Sequence, residues 1–175
     1  MSIYNNKHVV FEQVGVDSDT VVRNQSTNTD GDGAYNNYEI SNIRNAVLPT
    51  KALALSSELY ATLTNTTIQT AKNGNSSTLV STSDKTFILA QKEMSGTRYN
   101  SVQQEFDALT TLNYWVNHTQ NADRVKTDTS NVAQNYWLRS PKSGTTGTAL
   151  RVADSGGFFD FGAKNSLCVS QCFAY

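Results

Sequence analysis

From Asn135 to the C-terminus the chain is rich in aromatic residues and glycine and carries no helical period. A stretch of this kind packs as short strands joined by turns. Upstream, the apolar-periodic segments are brief and separated by polar residues. Asn, Ser and Thr supply 18, 18 and 21 of the 175 residues, and these side chains favour turns, caps and strand surfaces over long helices. The length suits one domain, residues 1–175, with enough chain to bury a core. Composition therefore describes a loop-rich, strand-rich globular protein.

Several segments can be placed. His8 to Val16 reads as an opening strand with apolar residues at Val9, Val10, Phe11, Val14 and Val16. The polar stretch 17–37 is expected to be a surface loop. Ser41 caps a short helix with Ile43, Ala46, Val47 and Leu48 on its apolar face, ending before Pro49. Ser56 caps a second, with Leu59, Tyr60 and Leu63 inward. Thr66 to Thr70 and Ser77 to Ser81 form β segments about a turn at 72–75, and Lys85 to Ala90 is a buried strand. Ser101 to Thr110 gives a third helix, with Val102, Phe106 and Leu109 in register.

Charge and motifs narrow the function classes. The formal net charge is -1 and no basic stripe is present, which disfavours nucleic acid as a partner. No apolar run approaches the ~20 residues of a membrane span, so membrane insertion is not expected. The first residues lack the apolar core of a signal peptide, so either the chain is made in the cytoplasm without Sec export or a leader lies outside this sequence. His8 and His118 sit in no metal spacing, and no nucleophile elbow, phosphate loop or Cys-x-x-Cys occurs, so an enzyme is disfavoured. Asn28, Asp30 and Asp32 alternate before Gly33, with Glu39 after five further residues. That is a calcium-loop spacing, although Asp-Gly runs are also ordinary turns. No other cofactor is indicated. Cys168 and Cys172, if on one strand, lie roughly 13 Å apart on the same face. That is too far for a direct bridge. Two packed thiols are the preferred reading, with a disulfide or a redox pair left open.

One block is more specific. Tyr136-Trp137-Leu138-Arg139-Ser140-Pro141 is followed by Ala149–Val152, Gly156-Gly157 and Ser166–Val169. This series resembles the C-terminal signature of a bacterial family with a C-type-lectin-like fold, related to the formylglycine-generating-enzyme (sulfatase-modifying-factor) domain. Tyr38, Ser41, Ile43 and Arg44, and Phe87-Ile88-Leu89 with Glu93, resemble two further segments of that family. The resemblance implies an α+β chain of short twisted antiparallel sheets, two or three short helices and long loops. It places Trp137 and Leu138 in the core and gives Arg139 a tying role through hydrogen bonds. Cys168, Gln171 and Cys172 replace the family's Gly and Pro-Ala. The oxidase cysteines of the wider superfamily lie on an earlier segment, so that activity does not carry over. The Glu-Pro-Asn and Gln-Pro-Asp triplets of calcium-dependent sugar binding are absent.

A second resemblance concerns the variable proteins of diversity-generating retroelements. These use the same fold type and vary residues in its C-terminal part. Phe159, Asp160, Phe161 and Gly162 are all reachable from an asparagine codon by replacement of adenines. The resemblance implies a non-catalytic binder, phage tail-associated or displayed on a bacterial surface, that recognises a host or target surface protein or glycan. The ligand-binding residues expected are Lys142, Ser143, Thr145, Thr146, Arg151, Ala153, Asp154, Phe158, Phe159, Asp160, Phe161 and Lys164. Exposed phenylalanines mark interaction sites, whereas buried ones would merely fill the core. The alternative is a virion or adhesin subunit that uses the same face to form a homo-oligomer or larger assembly.

Overall fold

The structure is a computed structural model and describes residues 2–4, 8–16, 18–25 and 29–174. The chain opens with strands β1 (Ser2–Tyr4), β2 (His8–Glu12) and β3 (Val21–Val22). A π-helical turn, Ile43–Val47, runs directly into α1 (Leu48–Leu53), and α2 follows at Ser57–Thr62. Strands β4 (Thr66–Ala71), β5 (Leu79–Asp84) and β6 (Thr86–Phe87) precede helices α3 (Gln91–Met94), α4 (Gln103–Ala108), α5 (Asn113–Asn117) and α6 (Asn121–Arg124). The remaining strands are β7 (Lys126–Thr127), β8 (Ala133–Gln134), β9 (Tyr136–Pro141), β10 (Thr148–Val152), β11 (Phe158–Gly162), β12 (Ser166–Leu167) and β13 (Cys172–Ala174).

The chain is thus mixed α and β, and its strand ladders among the described residues are antiparallel, with one isolated parallel bridge between Tyr136 and Cys168. A four-stranded sheet runs β1-β2-β13-β6 and joins the two ends of the chain. A three-stranded sheet runs β11-β10-β9, and three two-stranded ribbons complete the set. The helices number six among the described residues, each of four to six residues, against the two or three expected. Such lengths lie far below what is stable alone, so packing and local caps hold them. Ser56 Oγ accepts from the Leu59 N–H at 3.2 Å, as its cap position requires. Of the residues expected inward there, Leu63 is buried and Leu59 and Tyr60 are only half-buried.

Two apolar clusters sandwich the three-stranded sheet. Tyr136, Leu138, Leu150 and Val152 point to one side, where they meet Val10, Ile68, Phe87, Leu112, Trp115, Cys168 and Cys172. Trp137 and Ala149 point to the other, against Tyr38, Ile43, Leu48, Ile88, Leu167 and Val169. All six residues of β9 are buried. The strand reads as a continuous block because both of its faces are covered.

Three expectations are corrected. The 17–37 stretch is not simply a surface loop, since Arg23, Asn24, Asn36 and Asn37 are buried within it. The reason is that buried loop backbone needs partners. Asn36 Nδ2 donates to the carbonyls of Thr145 and Thr148, and Asn24 Nδ2 to that of Tyr35. The helix after Ser41 does not end before Pro49 but continues with the proline in the first turn of α1, where a missing N–H is tolerated. The opening strand ends at Glu12 and not at Val16, so Val14 lies beyond it and is 92 % exposed, whereas Val10 and Val16 are buried. The side chains of Val9 and Phe11 lie outside the described residues.

Candidate binding face

The framework beneath the C-terminal hairpin is polar as well as apolar. Arg139, fully buried in β9, forks onto the equally buried Glu93 of α3 at 2.5 and 2.6 Å and also donates to the Ile88 carbonyl at 2.9 Å. Glu93 Oε2 in turn accepts the Ala90 N–H at 2.8 Å. The tying role implied for Arg139 is therefore present, as are the core positions of Trp137 and Leu138. Arg23, from the polar stretch, donates to the carbonyls of Asn36 at 2.8 Å and Arg139 at 2.6 Å. Burial, opposed by Tyr38 and Glu105, draws its pKa down to about 10, so it remains charged at neutral pH. No motif in the sequence signals Arg23.

On this frame sits the β10–β11 hairpin, in which Arg151 is opposite Phe159 and Ala149 opposite Phe161. Side chains alternate across a strand, so β11 divides its residues between two faces. Phe158 turns inward, packs on the first apolar cluster and lies under the Arg124 guanidinium at 4.6 Å. Phe159 and Phe161 turn outward and are 45 % and 36 % exposed. Phe158 therefore leaves the expected set, and the other two phenylalanines stay in it. The Arg151 guanidinium lies 5.7 Å from the Phe159 ring centre and 5.2 Å from that of Phe161, a cation held over both π faces. Phe161 meets Trp137 at 6.2 Å and Phe159 meets Tyr99 at 6.4 Å. Tyr99 was missed by sequence reasoning. Its loop is shaped by buried Gln91, whose Oε1 accepts the Tyr99 N–H and the Ser101 hydroxyl.

The remaining expected residues divide by position. At one end of the sheet, the β9–β10 loop holds Lys142, Ser143, Thr145 and Thr146 beside the loop containing Tyr35. There the N–H groups of Tyr35 and Asn36 bond the Thr146 carbonyl. Lys164 reaches the same end, 4.9 Å above the Tyr35 ring. Lys142 and Asp160 form a partly exposed ion pair at 2.9 Å. Asp154 is exposed in the β10–β11 turn at the opposite end, roughly 17 Å away along the strand. Ala153 in that turn is buried, and it closes the hairpin through its N–H to the Gly157 carbonyl, so its methyl adds nothing to the face. Arg124 anchors the turn by donating to the Gly156 carbonyl at 2.9 Å.

The calcium-type segment has other partners. Asp30 Oδ1 accepts the N–H groups of Asp32 and Ala34, and Oδ2 accepts from Asn73. Partial burial opposes the charged form, yet those bonds and the nearby Lys72 hold the Asp30 carboxyl below its ordinary value. Asp32 pairs with Lys72 at 2.7 Å. The main-chain carbonyl of Glu39 accepts from Arg44 and Asn45. The loop thus closes as a turn pinned to the 72–75 segment, and Asn28 lies outside the described residues. Among the described residues no three His, Cys, Asp or Glu side chains gather as a metal set. Cys168 and Cys172 are buried and form no disulfide with each other, and burial pushes the Cys172 thiol well above its ordinary pKa.

These features define a mixed α and β protein of short antiparallel sheets whose C-terminal hairpin presents two outward phenylalanines around an arginine. Residues 12–170 match the family model described as a domain of unknown function, DUF6273, and the chain belongs to that family. No curated protein and no solved structure matches the chain. Among the described residues no helix is long and apolar enough to cross a membrane.

Proposed function

We propose that the protein is a non-catalytic binding module whose C-terminal hairpin face recognises a host or target surface protein or glycan. The observation that carries this reading is the outward placement of Phe159 and Phe161 on a strand whose other residues are half-buried. Exposed aromatic rings clustered about an arginine are costly to leave in water and are enriched where partners dock. The rigid sheet beneath lets side chains on the face change without disturbing the core. A C-type-lectin-like frame is in keeping with the pairing of the chain's two ends through β2 and β13 and with the buried Trp-Leu-Arg-Ser-Pro strand. The proposed setting is a phage tail or a bacterial surface, with the face varied in the manner of a retroelement variable protein.

The test uses the fluorescently labelled full chain on intact bacterial cells, with Phe159→Ala/Phe161→Ala as comparison. Thermal unfolding close to that of the parent, together with loss of cell binding, supports the reading. Binding retained at parental strength by a folded double variant overturns it. If the parent instead assembles by itself on size exclusion and the double variant falls apart, the face is a subunit interface. Sequencing the DNA beside the gene checks the origin of the face. A near-copy of codons 137–175 differing at adenines is expected, and its absence removes the retroelement part of the proposal.

A further inference from the structure

Arg151 is a half-buried cation with an incomplete set of partners. Its side chain bonds Asn135 Oδ1, and its Nε is buried without a hydrogen-bond acceptor among the described residues. Among the described residues no carboxylate pairs with it. The nearest acid along β11, Asp160, belongs to the opposite face and is held by Lys142. A charge partly withdrawn from water gains most from a charged, hydrogen-bonding partner. The face therefore lacks an anion at its centre.

The edge of the hairpin is open as well. Bonds from Ala153 N to Gly157 O and from Ala163 N to Gly147 O close the ladder at its two ends. Antiparallel pairing alternates, so Arg151 with Phe159 and Ala149 with Phe161 exchange bonds between them. The main-chain groups of Phe158 and Asp160 consequently point away from β10, and β11 is the outer strand of its sheet. An exposed edge of this kind accepts an added strand, with affinity from main-chain bonds and specificity from alternate side chains.

We infer that the partner is an extended protein segment that pairs with the edge of β11 and sets an Asp or Glu carboxylate on Arg151. With the acid opposite Phe159, the residue two positions away falls opposite Phe161 on the same face, and an apolar side chain there packs on the exposed rings. The inference rests on the binding role proposed for this face and specifies its ligand. A glycan would satisfy the arginine but leave the outward main-chain groups of β11 without their natural complement.

The experiment pans a displayed library of random peptides on the full chain, with counter-selection on a Phe159→Ser/Phe161→Ser variant. Arrayed glycans are probed in parallel. The leading peptide is then titrated by calorimetry against the parent and Arg151→Met, and again with its acid replaced by the amide. Enriched peptides should carry an acid with an apolar residue two positions away. Both the amide peptide and Arg151→Met should weaken binding roughly tenfold or more. The Phe158 and Asp160 amides should become protected from hydrogen exchange. The amide swap leaves the protein untouched, so it decides the matter even if Arg151→Met folds poorly. Equal affinity for acid and amide peptides overturns the inference while the binding face stands. Glycan binding lost in the double variant also overturns it and keeps the face. If neither peptides nor glycans distinguish parent from double variant, both the inference and the binding role fail.

Discussion

Glu93 and Arg139 are sealed from water at hydrogen-bonding distance, so each is the other's replacement for solvent. Removing one charge leaves its partner buried and uncompensated, which costs about 3–5 kcal/mol for such pairs. Glu93→Gln is accordingly expected to lower the unfolding free energy by about 3 kcal/mol or more in urea titration. A change below about 1 kcal/mol would show that the pair does not hold the frame. Glu105 is the opposite kind of residue. Its Oε2 accepts from the Thr70 hydroxyl and the Ala71 N–H, but Oε1 has no partner among the described residues. Burial raises its pKa above the ordinary 4.5, and burial outweighs Lys126 to do the same for Glu12. Each folded-state pKa exceeds the unfolded one, so the folded chain holds these protons to higher pH. Their contribution to stability is full below the ordinary value of 4.5 and is lost as pH rises through the raised value. Glu105→Gln should flatten that loss when urea midpoints are measured from about pH 4 to pH 8. An unchanged profile would place the titration elsewhere.

At the scale of elements, the β10–β11 hairpin depends on a glycine that cannot be replaced. Gly156 has φ +78°, and a Cβ there would lie 1.8 Å from the Asn121 carbonyl oxygen. Gly144 in the β9–β10 loop has φ +79° but open space around it. Alanine at Gly144 should cost about 1 kcal/mol, the strain of a left-handed residue. Alanine at Gly156 should cost about 3 kcal/mol or more, because backbone must also move. Similar denaturant midpoints for the two variants would contradict this account of the turn. The sequence shows elements well where one residue declares them. Ser56 marks α2, the Val102 and Phe106 spacing marks α4, and the turn at 72–75 marks the β4–β5 pair. Helices of four residues such as α3 and α6 carry too little period to be seen, and they exist because Glu93 and Asp123 fold back onto the N–H groups of Ala90 and Gln120. The candidate binding face is half legible in the sequence. The three phenylalanines of β11 stood out, but which of them point outward depends on register, since a one-residue slip would exchange the faces. Tyr99 joins from a loop set by Gln91, a long-range contact that no local pattern encodes.

The whole molecule separates what must be kept from what is free to vary. Trp137, Arg139 and Tyr136 are enclosed by both clusters and by side-chain bonds, including Trp137 Nε1 to the Val21 carbonyl and the Tyr136 hydroxyl to that of Arg124. Phe159, Phe161 and Lys164 stand on the outside of the same architecture. The proposed recognition of partners through an interchangeable face requires this division. The most direct test is a saturation library of positions 136–164 in the displayed full chain, sorted for resistance to protease. Phe159, Phe161 and Lys164 should accept nearly any residue without loss of protection, while Tyr136, Trp137 and Arg139 should accept almost none. Intolerance at Phe159 and Phe161 equal to that at Trp137 would make them part of the core and contradict the claim of a separate binding face.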